Sequence, residues 1–217
     1  MSSTDNEAAS VRASKNRVPL KKWGVIMVIS VTLIWYFFID PGGWKEEVLL
    51  HDGTIIWVHR IERSSHNRAE WGGGGGRVDD LENILTIPRN NPIAPAPPAW
   101  KVKHEAPMIV DYDAEKETWF IVVTFYMCGD WINWGAPELP YRQYVVQNGE
   151  WVVVPLDESL IGRKGNLTTG LVGRKMRQIT IADILKMNRN SGSEYKSVVD
   201  TWNGCRSDLR RLLRREQ

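Results

Sequence analysis

Cysteine and histidine are scarce in this 217-residue chain, which has two cysteines and four histidines. No CxxC or HExxH spacing is present, so we expect no structural zinc site and no metalloprotease centre. The sequence also lacks a Gly-x-Ser-x-Gly elbow and the Gly-Lys-Ser/Thr ending of a phosphate loop. We therefore expect no metal, no cofactor and no catalytic residue.

An excess of charge of one sign is missing as well. The whole chain carries a formal net charge of +2, and cations and acids balance over residues 44–217. A surface that binds nucleic acid normally shows clustered Lys and Arg. The composition therefore gives no reason to expect a nucleic-acid partner.

What the chain does have is an unbroken apolar run over residues 23–39, preceded by Lys21 and Lys22 and followed by Asp40-Pro41-Gly42-Gly43. As a helix the run would be roughly 25 Å long, close to the minimum that crosses a hydrocarbon core of about 30 Å. We predict a transmembrane anchor helix over 23–39, with the lipid bilayer as its partner. A cleaved signal peptide is the main alternative, and a buried helix of a soluble protein is a second one.

The charge on either side of the run predicts its orientation. Basic residues precede it and none lies in the short segment after it, so the N-terminus should be cytoplasmic. Residues 1–22 are polar and charged and should form a disordered basic cytoplasmic tail. Residues 44–205 are long enough for one folded domain on the outer side, followed by a basic tail over 206–217.

Two turn signals predict β-hairpins in that domain. Asp52-Gly53 lies between apolar runs, and a two-residue turn there would pair Leu49 with Ile56 and Val48 with Trp57. Asn148-Gly149 would pair Val146 with Trp151 and Val145 with Val152. Since the first hairpin has large apolar residues on both faces, we expect it to lie inside the fold.

The remaining elements complete an α+β domain. Residues 62–80, with five consecutive glycines, should be a loop, and the proline-rich residues 90–100 should be an extended connector that links rather than packs. Thr180 and Asp183 form a capping box that predicts a helix, and a second helix should begin near Ser193. The fold class is α+β: a predominantly antiparallel β-sheet domain with C-terminal helices, preceded by one transmembrane helix.

Cys128 and Cys205 form a possible disulfide. An oxidising compartment would allow the pair to form. Spacing along the sequence does not show that the two sulfur atoms meet, so both the paired and the unpaired state stay open at this point.

Several segments carry a resemblance. The decapeptide from Trp44 to Gly53 resembles the opening signature of a widespread family of uncharacterised proteobacterial proteins. Shorter segments resemble the same family: Cys128-Gly129, Trp134-Gly135, Pro140-Tyr141, Gly149 with Trp151, Pro155-Leu156 and Asn166-Leu167. The resemblance implies a bacterial origin and an envelope setting, with the anchor in the inner membrane and the domain in the periplasm. It implies no activity.

Residues 128–141 are the candidate working surface. Aromatic and polar side chains alternate in this Gly- and Pro-rich loop, as a sugar-stacking platform or a protein-binding hot spot would require. The alternative is that its tryptophans cover an open end of the sheet. The candidate binding residues are Asp130, Trp131, Asn133, Trp134, Glu138 and Tyr141.

The histidines are weaker candidates for a functional site than this loop. We interpret His51-Asp52 as a hairpin corner, because Asp-Gly already has a backbone role there. His51 and His59 should be roughly 16 Å apart along the hairpin and cannot share a metal ion.

The sequence therefore predicts a non-catalytic binding or scaffold module whose partner is an unknown envelope protein. Two alternatives are a cell-wall glycan binder and an immunity-type inhibitor of a periplasmic toxin. An envelope hydrolase is the least favoured, since it would need a pocket with a base and a nucleophile in contact.

Overall fold

The computed structural model describes residues 43–66, 78–169 and 176–206. The predicted anchor over 23–39 and the tail after residue 206 lie outside the described residues. None of the helices within the described ranges has the length and apolar character that crossing a membrane requires.

Two predominantly antiparallel sheets form the framework of the described chain. Sheet A has the strand order β4-β3-β2-β1-β9, and sheet B has the order β5-β6-β7-β8. Only the pairing of β1 with β9 is parallel. The strands are β1 (Trp44–Leu49), β2 (Ile55–His66), β3 (Val78–Thr86), β4 (Trp100–Lys103), β5 (Glu105–Asp113), β6 (Thr118–Phe125), β7 (Arg142–Gln147), β8 (Glu150–Val154) and β9 (Gln178–Ile179).

The helices are short. Helix α1 (Cys128–Asn133) connects β6 to β7, and α2 (Ile181–Met187) and α3 (Ser193–Lys196) follow β9. The predicted capping box is present, since Thr180 and Asp183 each bind the other's backbone N–H. A mostly antiparallel β domain with a few short helices agrees with the α+β prediction.

One apolar core lies between the two sheets. Strands of both sheets contribute to it, and Trp100, Ile121 and Leu167 are almost completely buried. The predicted connector over 90–100 packs as well as links, because Ile93, Ala94 and Ala96 contact this core. The prediction that it only links is wrong, since apolar residues between the prolines reach the core.

The first hairpin forms, but its predicted register is wrong by one residue. Leu49 pairs with Ile55 and Val48 with Ile56. Leu50 N donates to Thr54 O and Gly53 N to Leu50 O, which makes a three-residue loop. The shift places Leu49, Ile55 and Trp57 on the outer face of sheet A, where they are 44%, 49% and 38% exposed. The hairpin therefore has one buried face and one exposed face.

The second hairpin has the predicted register. Val146 pairs with Trp151 and Val145 with Val152. The predicted loop over 62–80 is strand at both ends, because β2 continues to His66 and β3 begins at Val78. Their pairing, including Glu62 with Asn83, extends the ladder beyond the apolar residues on which the prediction rested.

A buried ion pair joins β1 to β2. Arg60 Nη1 donates to Glu46 Oε2 at 2.9 Å, and both side chains are at most 1% exposed. Arg60 Nη1 also donates to Thr168 O, and Thr168 N donates to Glu46. A buried charge is tolerated when it is paired and hydrogen-bonded. This pair therefore fixes the chain near Thr168 against sheet A.

Candidate functional site

The aromatic loop that the sequence singled out lies at one end of sheet B, and two of its rings are buried. Trp131 is 3% exposed, its Nε1 donates to Pro137 O at 3.0 Å, and its ring packs edge-on against Trp202 at 5.0 Å. Tyr141 Oη donates to Ser197 O at 3.0 Å and accepts from Val199 N at 3.0 Å. Both side chains are engaged within the protein.

The other residues of the loop are more accessible. Asn133 and Glu138 are exposed, and Trp134 is half-buried. The Arg142 guanidinium lies 4.3 Å from the centre of the Trp134 ring, so a cation already covers part of one face. Burial raises the pKa of the Asp130 carboxyl, and the nearby imidazole of His104 opposes that rise. The polar surface here thus consists of Asn133, Glu138 and the edge of Trp134.

A disulfide closes this end of the domain. Cys128, at the start of α1, is bonded to Cys205, and their Cα atoms are 5.3 Å apart. The bond holds the C-terminal segment, which contains Trp202, against Phe125 and Trp131. These three aromatic residues form one buried cluster. The possible disulfide of the sequence analysis is therefore present in the structure.

A second, more polar site lies at the opposite end of β5. It is an open pocket of about 500 Å³ between the tip of the β1–β2 hairpin and residues 159–166. Its apolar lining is Leu49, Leu50 and Ile161. Its polar lining is His51, Ser159, Arg163, Lys164 and Asn166.

Asp111 supports the pocket from below. Its side chain is fully buried, and its carboxylate contacts the Arg163 guanidinium. The same carboxylate accepts from His51 N at 3.0 Å and Tyr112 N at 2.7 Å, and it lies 3.1 Å from His51 Nδ1. A carboxylate has about four lone-pair sites. These four contacts use them all, so Asp111 holds His51 and Arg163 in fixed positions.

A bulge in β5 fixes the far wall of the pocket. The ladder between β5 and β6 shifts register between Pro107 and Ile109, which leaves Met108 O outside the ladder. Proline has no N–H to donate, and a bulge is a usual consequence in a sheet. Met108 O accepts instead from Asn166 N at 2.9 Å and Leu167 N at 3.1 Å. The bulge therefore attaches residues 166–167 to β5.

The Asn166 side chain connects the two sheets. Its Nδ2 donates to Leu49 O at 3.0 Å and to Val110 O at 2.9 Å, and its Oδ1 accepts from Val110 N at 3.0 Å. Asn166 thus pairs with the free edge of β5 and ties that edge to the hairpin of sheet A. It keeps the two walls of the pocket at a constant separation.

The electrostatics of the pocket are cationic. Arg163 and Lys164 are both in the lining, and among the described lining residues none is acidic. Burial lowers the pKa of the Arg163 guanidinium from its usual value, but an arginine stays charged at neutral pH. Asp52, next to His51 in the chain, is exposed, and the Thr54 N–H lowers the pKa of its carboxyl. Asp157 also lies close by, since it accepts from Ser159 Oγ at 2.7 Å.

In the pocket, the Ser159 hydroxyl does not bond to the His51 imidazole. Ser159 Oγ donates to Asp157 Oδ1 at 2.7 Å rather than to His51. Over the described part of the chain, the His51 ring makes its side-chain hydrogen bond to Asp111 alone. Residues that could together hold a metal ion are also not found within that part. The arrangement offers fixed polar groups that can bind a ligand.

The sequence analysis missed this pocket because its residues are far apart in the chain. His51 and Asp111 are 60 positions apart, and no local pattern joins them. The sequence placed His51 only beside Asp52, and that pair was interpreted as a hairpin corner, whereas the carboxylate that contacts His51 is Asp111. Pro107, inside a strand, was the one local signal that could have indicated a bulge in β5 and hence the place where residues 166–167 attach.

Comparisons with known proteins identify no relative. No protein-family model matches the chain, and no curated protein or solved structure is significantly similar to it. The resemblance to the proteobacterial family stays a prediction.

Proposed function

We propose that the protein is a membrane-anchored binding or scaffold module of a bacterial envelope. Residues 23–39 would span the inner membrane, the N-terminal tail would be cytoplasmic, and residues 44–205 would form the periplasmic domain. The module would bind another envelope protein or a ligand without catalysis.

The Cys128–Cys205 disulfide is the observation that carries this proposal. Disulfides persist in oxidising compartments such as the periplasm and are rare in the cytosol. The apolar run over 23–39 with cations on its N-terminal side supports the same orientation. The open pocket at the other end of the domain supports binding, because it is concave and has few, fixed polar groups.

Protease protection tests the topology. In spheroplasts, protease added from outside should degrade the domain after residue 44 and leave a short fragment that contains the anchor. A cytoplasmic protein of known location serves as the control for lysis. Protection of the whole domain in intact spheroplasts would contradict the proposed orientation.

Affinity purification of the full chain from solubilised membranes tests the binding role. We expect repeated recovery of a defined partner, and a chain with the same anchor but an unrelated domain provides the control. Recovery of nothing in repeated experiments would count against the proposal. An immunity-type role would be supported if that partner were a toxin encoded beside this gene.

Glycan recognition through the loop over 128–141 is a second candidate. The exposure of Asn133 and Glu138 beside the edge of Trp134 favours it. Trp134→Ala is a suitable probe, whereas Trp131→Ala would also remove a buried ring. If the loop binds glycan, retention on peptidoglycan should fall in Trp134→Ala, and equal retention would eliminate this candidate.

A further inference from the structure

We propose that the pocket between the β1–β2 hairpin and residues 159–166 is the ligand site of this module, and that it binds an oxyanion on an apolar group. The oxyanion would be a carboxylate or a phosphate, held by Arg163, Lys164 and His51. This inference rests on the proposed binding function and adds the chemical class of the ligand.

Arg163 has hydrogen-bond donors that its contact with Asp111 does not use. Its guanidinium has five N–H donors, and one nitrogen, Nη2, contacts Asp111. Asp111 also accepts from His51 and Tyr112, so it has no lone pair left for the other donors. The guanidinium lies over the Phe120 ring at 5.4 Å, which fixes its plane. Its remaining donors are therefore available to an oxyanion in the pocket.

The charges of the residues that line the pocket leave an excess of positive charge. The charge of Asp111 is matched by Arg163, which leaves the ammonium of Lys164 as surplus positive charge on the rim. Asp157 lies nearby, but Lys116 and Ser159 both donate to it. Asp52, at the hairpin tip, is engaged with Thr54 N. A pocket with a surplus cation and a half-buried guanidinium attracts an anion.

Two exposed apolar side chains line the pocket. Leu49 is 44% exposed and Ile161 is 40% exposed, and both line the pocket. A simple ion such as chloride would leave these side chains in water. A ligand with a short apolar group beside its anionic end would cover them and gain from the burial. The pocket thus fits an amphiphilic anion better than a bare one.

Ligand-observed NMR with the full chain in zwitterionic nanodiscs tests the proposal. The probes are n-butyrate and n-butyl phosphate, with acetate to measure the apolar contribution and n-butylamine to measure the charge preference. Empty nanodiscs supply the blank. Butyrate has two more methylene groups than acetate, so we expect it to bind about fifteenfold more tightly if both are buried, and we expect butylamine not to bind. The tighter of the two anionic probes distinguishes a carboxylate from a phosphate ligand.

Two substitutions locate the binding. Lys164→Glu reverses an exposed charge on the rim and should weaken butyrate binding roughly tenfold. Lys101→Glu is the matched control, because it makes the same change of charge at an exposed lysine on β4 that pairs with Glu82. It should leave the affinity unchanged. Thermal melting of both variants checks that they fold.

Equal binding of butyrate and butylamine would overturn the proposal, and so would equal affinity of Lys164→Glu and wild type. Either result would leave the proposed function standing if a partner is still recovered from membranes. Conversely, butyrate binding without any recovered partner would contradict the scaffold role and support the pocket.

Discussion

Strand β5 carries a buried carboxylate near each end, and the two ends differ in what surrounds them. Glu105 and Asp111 are six residues apart, or about 20 Å along the strand. Each contacts an arginine that lies over an aromatic ring: Arg142 over Trp134 at 4.3 Å, and Arg163 over Phe120 at 5.4 Å. The same set of groups closes the domain at one end and lines a pocket at the other.

The difference lies in how each carboxylate is satisfied. Glu105 accepts from Tyr144 Oη at 2.8 Å and from Arg142 at 3.1 Å, and burial raises the pKa of its carboxyl. Asp111 accepts from two backbone N–H groups as well as from His51 and Arg163. Backbone donors stabilise the charge of Asp111, which leaves part of Arg163 free for a ligand. At the Glu105 end, Arg142 donates to the carboxylate through Nη1 and covers part of the Trp134 ring.

Removing the Asp111 carboxylate should cause the largest loss in the free energy of unfolding. Asp111→Ala leaves the Arg163 guanidinium half-buried without its partner and frees two backbone N–H groups. We expect a loss of about 5 kcal/mol in the free energy of unfolding, measured by urea titration. Glu105→Gln keeps a hydrogen-bonding group and should cost about 1–2 kcal/mol. Equal losses would show that the two carboxylates are equivalent.

Breaking the disulfide should have the next largest effect, confined to the closed end. The cysteines are 77 positions apart, so replacing both by serine should lower the free energy of unfolding by about 4 kcal/mol through the entropy of the unfolded chain. Wild-type protein under reducing conditions provides the comparison. Butyrate binding in the folded variant should be unchanged, and a parallel loss of binding would mean that the two ends are coupled.

Tyr141→Phe tests the attachment of the C-terminal segment. The Tyr141 hydroxyl shares its one proton between Glu194 O and Ser197 O and accepts from Val199 N. Its removal should cost about 2 kcal/mol, since it leaves a buried N–H without an acceptor. Hydrogen exchange of the Val199 amide should become faster. An unchanged exchange rate would indicate that this hydroxyl does not hold the segment.

The pH dependence of stability should give the smallest difference. Burial raises the pKa of the Glu105 carboxyl above its value of 4.5 in the unfolded chain. The folded state therefore binds more protons than the unfolded state just above that pH. Its contribution to stability is complete below pH 4.5 and is lost as the pH rises through the folded pKa. Glu105→Gln should remove this fall in urea titrations between pH 4 and 7, and an unchanged profile would contradict it.

The two hairpin turns show how far the sequence could predict the fold. At Asn148-Gly149 both residues have positive φ, 52° and 79°, and the two-residue turn gives the predicted register. At Asp52-Gly53 the positive φ of 87° is at Gly53, and Asp52 is not among the positive-φ residues. Asp52 Oδ1 accepts from Thr54 N at 2.8 Å, which stabilises the longer loop. Both dipeptides are turn signals, and the dipeptide alone does not select between the two loop lengths.

The aromatic loop and the pocket show the limit for the site. A run of exposed-looking aromatic residues in a Gly- and Pro-rich segment indicated a surface, but Trp131 and Tyr141 face inward onto a C-terminal segment that local pattern does not place there. The pocket depends on the contact of His51 with Asp111 and on the contacts of Asn166 with Leu49 and Val110, together with the bulge at Pro107. Such long-range contacts have no signature in a single sequence, whereas the capping box at Thr180 is local and was predicted.

The most direct test compares the two ends in one experiment. The chain has four histidines, so selective 13C labelling of the imidazoles gives few signals, which His51→Gln and His104→Gln would assign. Titration of the full chain with n-butyrate should shift the His51 signal saturably and leave the signal of His104, beside Asp130, in place. A shift of His104, or no shift of His51, would contradict the assignment of the ligand site to the pocket end.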